Sequence, residues 1–432
     1  INPTGYTCEN GCSIIGTKNE DIIIKTLVNQ STINSGDSII NGKIIKISCN
    51  NKKEVKTGGI FKYASVALSC SSAVDQTSDI DIKEYTCGDT AKFTTSADVE
   101  RAVTHLSSPQ NTLGLWTYID GNNYGHISNW TFGAGVTNMS KLFKEFDFKY
   151  FSQKILPDIS SWDVSGVTNM ESMFQSFPKF NQDISSWDVG EVTTMKNMFK
   201  DCNIFNNGNT TGVDKTLSNW NVSKVTNMEG MFENCWAFNQ DISSWNVSNV
   251  TTMKKMFKDC RIFNKSLQTK FTPNKPLTWD VSTVKDMESM FENCWKFNQD
   301  ISKWKVNIVT TMKRMFYYCA DFNKPLNTSF VTSFSAFPPY DAWVVSTVDN
   351  MESMFEKCIT FDQPLHDWNV SSVTTMSGMF SECVVFNQLL NTNTSENKWN
   401  VSNVSTMTRM FKKCYLFNQP LDAWNTILVT DM

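Results

Sequence analysis

The sequence has little with which to carry out chemistry. Its 432 residues hold three histidines, His105, His126 and His366, and these lie far apart along the chain. No glycine-rich phosphate loop or nucleophile elbow accompanies them, so no catalytic constellation assembles. No enzyme is expected, and no metal or cofactor. Charge is also scarce: Asp, Glu, Lys and Arg make up 19% of residues and the net charge is −4. A nucleic-acid partner would require a basic patch, so that class is excluded. No apolar run approaches the roughly eighteen residues a membrane-spanning helix needs, and no transmembrane segment is expected. The first residue is Ile1. With no signal segment ahead of the first motif, the reading is a processed product, extracellular or surface-exposed after removal of such a segment.

Residues 1–90 lack Met and Trp altogether, although the chain holds 20 and 14 of them. Instead this region carries Cys8, Cys12, Cys49, Cys70 and Cys87, with β-branched apolar runs at Ile22–Val28, Ile39–Ile47 and Ile60–Leu68. The runs are separated by Gly, Asn and Ser, which is the pattern of strands and turns. A small β domain with one or two disulfides among these cysteines is expected. Five cannot all pair among themselves. A zinc site at Cys8-x3-Cys12 is the alternative, with no histidine nearby to support it.

Residues 91–130 are expected to form a capping helix and the entry to a repeat array. Thr95-Ser96-Ala97-Asp98 offers a helix cap, and Val99, Ala102, Val103 and Leu106 share one face. From 131 to 432 the chain repeats itself. Trp162 to Phe180 reads W-D-V-S-G-V-T-N-M-E-S-M-F-Q-S-F-P-K-F. The wording returns at Trp187, Trp220, Trp245, Trp279, Trp304, Trp343, Trp368 and Trp399, and in part at Trp130 and Trp424. A fixed period of this length marks stacked repeats, each unable to bury its apolar face alone. Trp187 and Val189 fall on one face of an extended segment. Val167, Met170, Met173, Phe174 and Phe177 come next at steps of three, three, one and three, which predicts a short helix. Thr168 with Glu171, and Thr226 with Glu229, predict capping boxes at its start. The fold class expected is therefore an α/β repeat solenoid of about ten turns.

Successive Trp residues are alternately 25 and 31 to 39 residues apart, as in Trp162, Trp187, Trp220 and Trp245. The true period is thus a pair of turns. The extra residues lie at Asn206–Asn219, Asn264–Thr278, Asn323–Ala342 and Asn387–Lys398. Charge obeys the same alternation: Glu171, Lys196, Glu229, Lys254, Glu288, Lys313 and Glu352 occupy one position of successive turns. Neighbouring turns should present opposite charges, which fixes register more than it adds stability.

All the methionines sit at core spacing, so packing is their role. Cys202, Cys235, Cys260, Cys294, Cys319, Cys358, Cys383 and Cys414 occupy one repeat position that the first copies fill with Phe146 and Phe177. A site that accepts Phe is apolar, so free core thiols are expected. Held on packed helices, they should also be too far apart to bridge. Asn181, Asn239, Asn264, Asn298, Asn323, Asn387 and Asn418, with Asp362, suit an asparagine ladder of buried amides bonding adjacent backbones. Many Asn-x-Ser/Thr sequons, such as Asn221, Asn246, Asn369 and Asn400, arise from the repeat word N-V-S. Asn29, Asn209, Asn327 and Asn393 lie outside it and are the N-glycosylation candidates.

The shared wording, W-[DN]-V-S-x-V-T-x-M-x-x-M-F-x-x-C-x-x-F-N-Q-x-[IL], resembles the repeats of BspA-type leucine-rich-repeat surface proteins, in the form associated with mycoplasma lipoproteins. The resemblance covers about residues 124 to 432. It implies a leucine-rich-repeat-like solenoid on a cell or particle surface, in a family linked to adhesion. Two functions are expected, and the first is favoured, because the outward positions around Trp hardly change (Ser185-Ser186-Trp187-Asp188, Ser243-Ser244-Trp245-Asn246, Ser302-Lys303-Trp304-Lys305) and the varied material lies in the long loops. The first is a structural subunit of an extracellular filament or surface appendage, whose partners are other copies joined head to tail. The second is a surface adhesin or binding module that uses the solenoid face or the long loops to reach host or cell-surface proteins. The chain stops at Val429-Thr430-Asp431-Met432, partway through an eleventh copy. The expectation is that Met407, Met410, Phe411 and Cys414 are left partly open and covered by residues 1–90 of the next copy. A longer array cut short is the other reading.

Overall fold

The computed structural model describes residues 92–106, 116–119, 122–146, 156–208, 216–268, 278–326, 343–390 and 399–432, with six strands before residue 92. Contacts divide the chain into two units, one of residues 1–92, 104–131 and 150–152, the other of residues 93–103, 132–149 and 153–432.

In the first unit, β1 (Tyr6–Glu9) pairs antiparallel with β2 (Ser13–Gly16). The apolar runs supply β3 (Ile22–Thr26), β5 (Ile45–Cys49) and β6 (Ser65–Leu68), which with β4 (Thr32–Ile33) form an antiparallel sheet in the order β4-β3-β5-β6. After β7 (Lys92–Phe93) and helix α1 (Ser96–Leu106) comes a hairpin of β8 (Trp116–Ile119) and β9 (Asn122–His126), then β10 (Thr131–Phe132). The disulfide reading of Cys8, Cys12, Cys49, Cys70 and Cys87, and the zinc alternative, concern side chains outside the described residues, as do glycosylation candidates Asn29, Asn209, Asn327 and Asn393.

Helix α1 is capped as its sequence predicts. The Thr95 hydroxyl accepts the Asp98 N–H (3.3 Å) and donates to the Asp98 carboxylate (2.7 Å). In the second unit, Val99, Ala102 and Val103 are buried, and the Ser96 hydroxyl accepts the N–H of Asn138 at 2.9 Å. Asn138 opens a column. Parallel bridges run from it through Asn169, Thr194, Asn227, Thr252, Asp286, Thr311, Asn350, Thr375 and Thr406 to Asp431, joining stacked coils one residue wide. Where a Thr precedes the bridge it turns its hydroxyl to the coil behind: Thr168 donates to the Thr137 carbonyl (3.2 Å) and Thr193 to that of Thr168 (3.1 Å).

The expected short helix does not form. After residue 130 the described residues contain no helix, and the stretch from Met170 to Phe177 is a run of tight turns. The N–H groups of Met170, Ser172, Phe174 and Ser176 donate to carbonyls of Thr194, Lys196, Met198 and Lys200 in the next coil, at 2.8 to 3.2 Å. Those of Met173, Gln175 and Phe177 donate three residues back within the coil. Ser172 and Ser176 are left-handed, with φ of 56° and 58°, and the same two positions are left-handed in later coils, as at Asn197 and Asp201 or Lys255 and Asp259. The physical reason is spacing. A helix spends its N–H groups on itself and packs about 8 to 10 Å from its neighbour. The bridged side of each coil stacks at the strand separation of about 4.8 Å. Turns that hand alternate N–H groups to the next coil keep both sides at one spacing. The capping boxes fail with the helix: the Glu171 N–H goes to Asn169 Oδ1 at 2.9 Å, and Thr168 serves its own column.

The core is a set of one-residue columns. Each Trp that opens a repeat, from Trp187 on, donates its indole N–H to the Ile or Leu carbonyl of the preceding coil, as Trp187 to Ile159 (3.1 Å) and Trp304 to Leu267 (2.8 Å). Trp rings stack in the pairs 162/187, 220/245, 279/304, 343/368 and 399/424, those joined by the short spacing, at 6.1 to 6.4 Å. Phe174, Phe199, Phe232 and Phe257 stack in turn at 5.7 to 5.9 Å. The asparagine ladder runs as Asn206 N–H to Asn181 Oδ1 (2.8 Å), Asn239 to Asn206 (3.1 Å), Asn264 to Asn239 (3.0 Å), and onward through Asp362 to Asn418. These side chains are half-buried or exposed, so the ladder lies at the edge of the core. Met407 and Met410, expected to be partly open, are buried, and the Met407 N–H reaches the Asp431 carbonyl at 2.8 Å. Phe411 is half-buried.

The charge alternation becomes ion pairs across the long steps: Lys196–Glu229 (2.9 Å), Lys254–Glu288 (2.7 Å) and Lys313–Glu352 (2.8 Å). The Glu288 hydrogen bond holds the Lys254 ammonium above its usual range. A second row is deeper. Glu292 is buried between Lys258 Nζ and Arg314 Nη2, each at 3.2 Å. Glu292→Gln leaves two cations beside each other and should cost about 2 to 3 kcal/mol. Glu191→Gln, which breaks the exposed pair with Lys224, should cost under about 1 kcal/mol. Urea melts of both variants check this; equal losses would contradict the burial argument.

Candidate interaction ridge

Between each repeat Cys and the next Phe lie two residues, and the Phe N–H donates to the Cys carbonyl: Phe238 to Cys235 (3.0 Å), Phe263 to Cys260 (3.1 Å), Phe297 to Cys294 (3.0 Å). The two intervening residues are the centre of a tight turn and are driven outward. Backbone bonds hold successive corners in register, as Lys296 N–H to Arg261 O (3.3 Å) and Asp321 N–H to Trp295 O (3.1 Å). The corners therefore stack into a ridge along the array.

Unlike the core columns, this ridge changes from coil to coil. It reads Asn203-Ile204, Trp236-Ala237, Arg261-Ile262, Trp295-Lys296, Ala320-Asp321 and Ile359-Thr360. Trp236 is 43% exposed and Trp295 38%, high values for indoles, and Ile204, Ile262 and Ile359 are exposed beside them. The guanidinium of Arg261 lies between the two indoles, 4.4 Å from the centroid of Trp236 and 5.1 Å from that of Trp295. Tyr318 stands next, 5.8 Å from Trp295. Beneath them, Asn234 donates to Asp201 (2.6 Å) and Asn293 to Asp259 (3.0 Å). Burial raises the Asp259 carboxyl above the usual carboxylate range, against the opposing pull of the Asn293 bond.

The Cys column lies just inside the ridge. Its eight thiols are free and buried. Each S–H donates to a Phe carbonyl of the preceding coil, as Cys235 to Phe199 (3.0 Å) and Cys294 to Phe257 (2.9 Å). The helix-spacing argument for their separation falls with the helix, since these coils bond backbone to backbone. Burial pushes the thiols well above their ordinary value; Cys414, the least enclosed, is pushed up to about 11. The thiolate is the nucleophile, so a raised value means less of it at pH 8. Iodoacetamide on the native protein at pH 8 should label Cys414 before the other seven, and all eight after unfolding. Peptide mapping by mass spectrometry reads the order, and uniform native labelling would contradict the burial.

Four consecutive stretches, residues 116–212, 208–275, 268–337 and 329–432, match one family model, described as Mycoplasma protein of unknown function, DUF285. The chain belongs to the DUF285 family. It is a repeat protein in which the matches succeed one another inside the long insertions, so the DUF285 unit contains whole short-spaced pairs of coils. Neither a curated protein nor a solved structure matches the chain.

Among the described residues, no group of His, Cys, Asp and Glu could hold a metal ion, and no helix is long and apolar enough to cross a membrane. His366 lies 3.4 Å from the carboxylate of its neighbour Asp367. The N-V-S sequons are turn-formers: Asn221, Asn246, Asn369 and Asn400 each accept the N–H two residues on, at 3.1 to 3.2 Å. The long insertions, where sequence variation is expected to matter, fall mostly outside the described residues. The ridge is absent from the sequence expectations, although its signal is there: aligned on Cys and Phe, the two positions between them are where the repeat word breaks down.

Proposed function

We propose that this DUF285 chain is a leucine-rich-repeat-like solenoid, with a run of turns where such repeats often carry a helix, and that it acts as a surface-exposed binding module. The observation that carries this reading is a coincidence of two properties. The ridge is where the repeats vary, and it is where large apolar side chains stand exposed. A position that only supports the stack needs neither. Aromatic and arginine side chains are those that dominate protein interfaces. The surface location rests on the resemblance of the repeat wording to BspA-type surface proteins.

The test uses the purified full chain and a variant with Trp236→Ser, Ile262→Ser and Trp295→Ser. Fluorescent protein is applied to cell monolayers and to immobilised extracellular-matrix proteins. Saturable binding that the variant loses while keeping its melting temperature supports the module. Equal binding by the variant, or none by either, overturns it. A structural role, as a subunit of a filament or surface appendage built from copies joined head to tail, is the second reading. The unchanged register of the bridge column from Asn138 to Asp431 favours it, because interchangeable coils suit extension. Negative-stain images showing fibres at high concentration would support it, and monomers would oppose it.

A further inference from the structure

On the reading of the ridge as a binding surface, we infer that its partner is an extended polypeptide segment carrying an acidic side chain flanked by apolar ones, with the carboxylate received by Arg261. The argument starts from what Arg261 lacks. Among the described residues its guanidinium has no carboxylate within 4.0 Å and no hydrogen bond; its Nε is buried without a partner, as is that of Arg314, so the absence of a carboxylate is what sets Arg261 apart. The neighbouring cations differ. Arg314 stacks over Tyr317 and pairs with Glu292 at 3.2 Å, Lys296 pairs with Asp321 at 3.1 Å, and Lys357 meets the Tyr317 hydroxyl at 3.1 Å. Asp259, the nearby carboxylate, interacts with the Arg261 charge without a salt bridge and accepts its hydrogen bond from Asn293.

A guanidinium with an indole on each face can take a hydrogen-bond acceptor only in its own plane, at its edge. That is the geometry of a two-oxygen anion, bound in bidentate fashion. The same packing decides what carries the anion. A sugar would need open ring faces on which to stack. Here Arg261 fills the facing sides of Trp236 and Trp295, and Tyr318 stands 5.8 Å beyond Trp295. The facing sides of both indoles are thereby taken, and the aliphatic surface of Ile204 and Ile262 stands exposed beside them, which suits apolar side chains. Corners stack about 4.8 Å apart, so Trp236 to Trp295 spans roughly 10 Å, about three residues of extended chain. A segment of the form apolar-x-acidic-x-apolar sets its outer like-facing side chains about 13 Å apart, so with the acid over Arg261 they reach just past both indoles.

The test is selection of a phage-displayed library of random nine-residue peptides against the full chain, and then affinity measurement with the enriched peptides. The expected outcome is enrichment of Asp or Glu between apolar residues. Arg261→Gln should weaken those peptides by about tenfold or more, as loss of a charged hydrogen bond does. Replacing the peptide's acid by its amide should cost as much with the native chain and nothing further with Arg261→Gln. Arg261→Lys, which keeps the charge and loses the fork, should recover only part. The change on the peptide side tests the pairing without touching the fold. Enriched peptides without an acid, peptides indifferent to Arg261→Gln, or no enrichment would each overturn the inference. So would heparin binding that depends on Arg261 where peptide binding does not, since that assigns the site to a sulfated glycan. If the triple ridge variant abolishes attachment while Arg261→Gln changes nothing, the binding-module reading stands and this inference alone fails.

Discussion

Met256→Asp is expected to lower the stability of the array by about 4 kcal/mol or more at pH 7. Met256 is fully buried. Its carbonyl takes the Phe232 N–H at 2.9 Å and its own N–H reaches Met253 at 3.0 Å, so the backbone has no donor to spare for a carboxylate. The introduced group must remain ionised without a partner or take up a proton. Taking up a proton raises its folded-state pKa above the unfolded value of about 3.9. The folded state then binds more protons than the unfolded one, so stability falls as pH rises from near 4 toward the folded pKa. The variant should therefore be less damaged at pH 4.5 than at pH 8 when each is compared with the parent. Urea midpoints at the two pH values read this directly. Parent-like melting at pH 8 would show that the methionine column is not the core.

The repeat, its paired period, the buried Met, Phe, Trp and Cys positions and the asparagine ladder are all legible in the sequence, because each depends on which residues share a face. The expected helix fails for a reason in the same geometry. Met170, Met173, Phe174 and Phe177 are at i, i+3, i+4 and i+7. A helix of 3.6 residues per turn and a chain of turns repeating every four residues put those positions on the same side. Over two turns the residue spacing cannot separate them. What separates them is where the backbone N–H groups go, and that is decided by the neighbouring coil. One clue is local. The left-handed positions hold Ser172, Asn197, Gly230 and Lys255 in one column and Ser176, Asp201, Asn234 and Asp259 in the other. Asn, Asp and Gly tolerate positive φ, and their recurrence is unusual for the interior of a helix. At Gly230 the absence of a side chain also matters, because a Cβ there would collide with the side chain of Asn197. The ridge is harder to see. The outward positions near Trp dominate the repeat word and hardly vary, whereas the two after Cys vary and belong to no word at all.

Trp304→Ala should cost about 3 to 5 kcal/mol, the usual range for emptying a large aromatic site in a core, and the loss should stay local. The Trp304 ring is fully buried, lies against Trp279 at 6.3 Å and Phe291 at 6.2 Å, and donates its indole N–H to the Leu267 carbonyl at 2.8 Å. Removing it opens a cavity and leaves that carbonyl without its donor. Trp304→Phe restores most of the ring and none of the hydrogen bond, so it should cost less, about 1 to 2 kcal/mol. Stacked repeats are held by nearest-neighbour interfaces, so stability approximates a sum over them. Damage at Trp304 should therefore weaken the coils that meet there and leave distant ones protected. Amide exchange is the decisive measurement. The ladder N–H groups of Met287, Ser289 and Phe291, which bond into the coil after Trp304, should exchange faster in the alanine variant. Those of Met170, Ser172 and Phe174, several coils away, should keep parent-like protection. A calorimetric trace split into two transitions would agree. Uniform loss of protection along the whole array would mean that the coils unfold as one cooperative block, and the nearest-neighbour account would have to be abandoned.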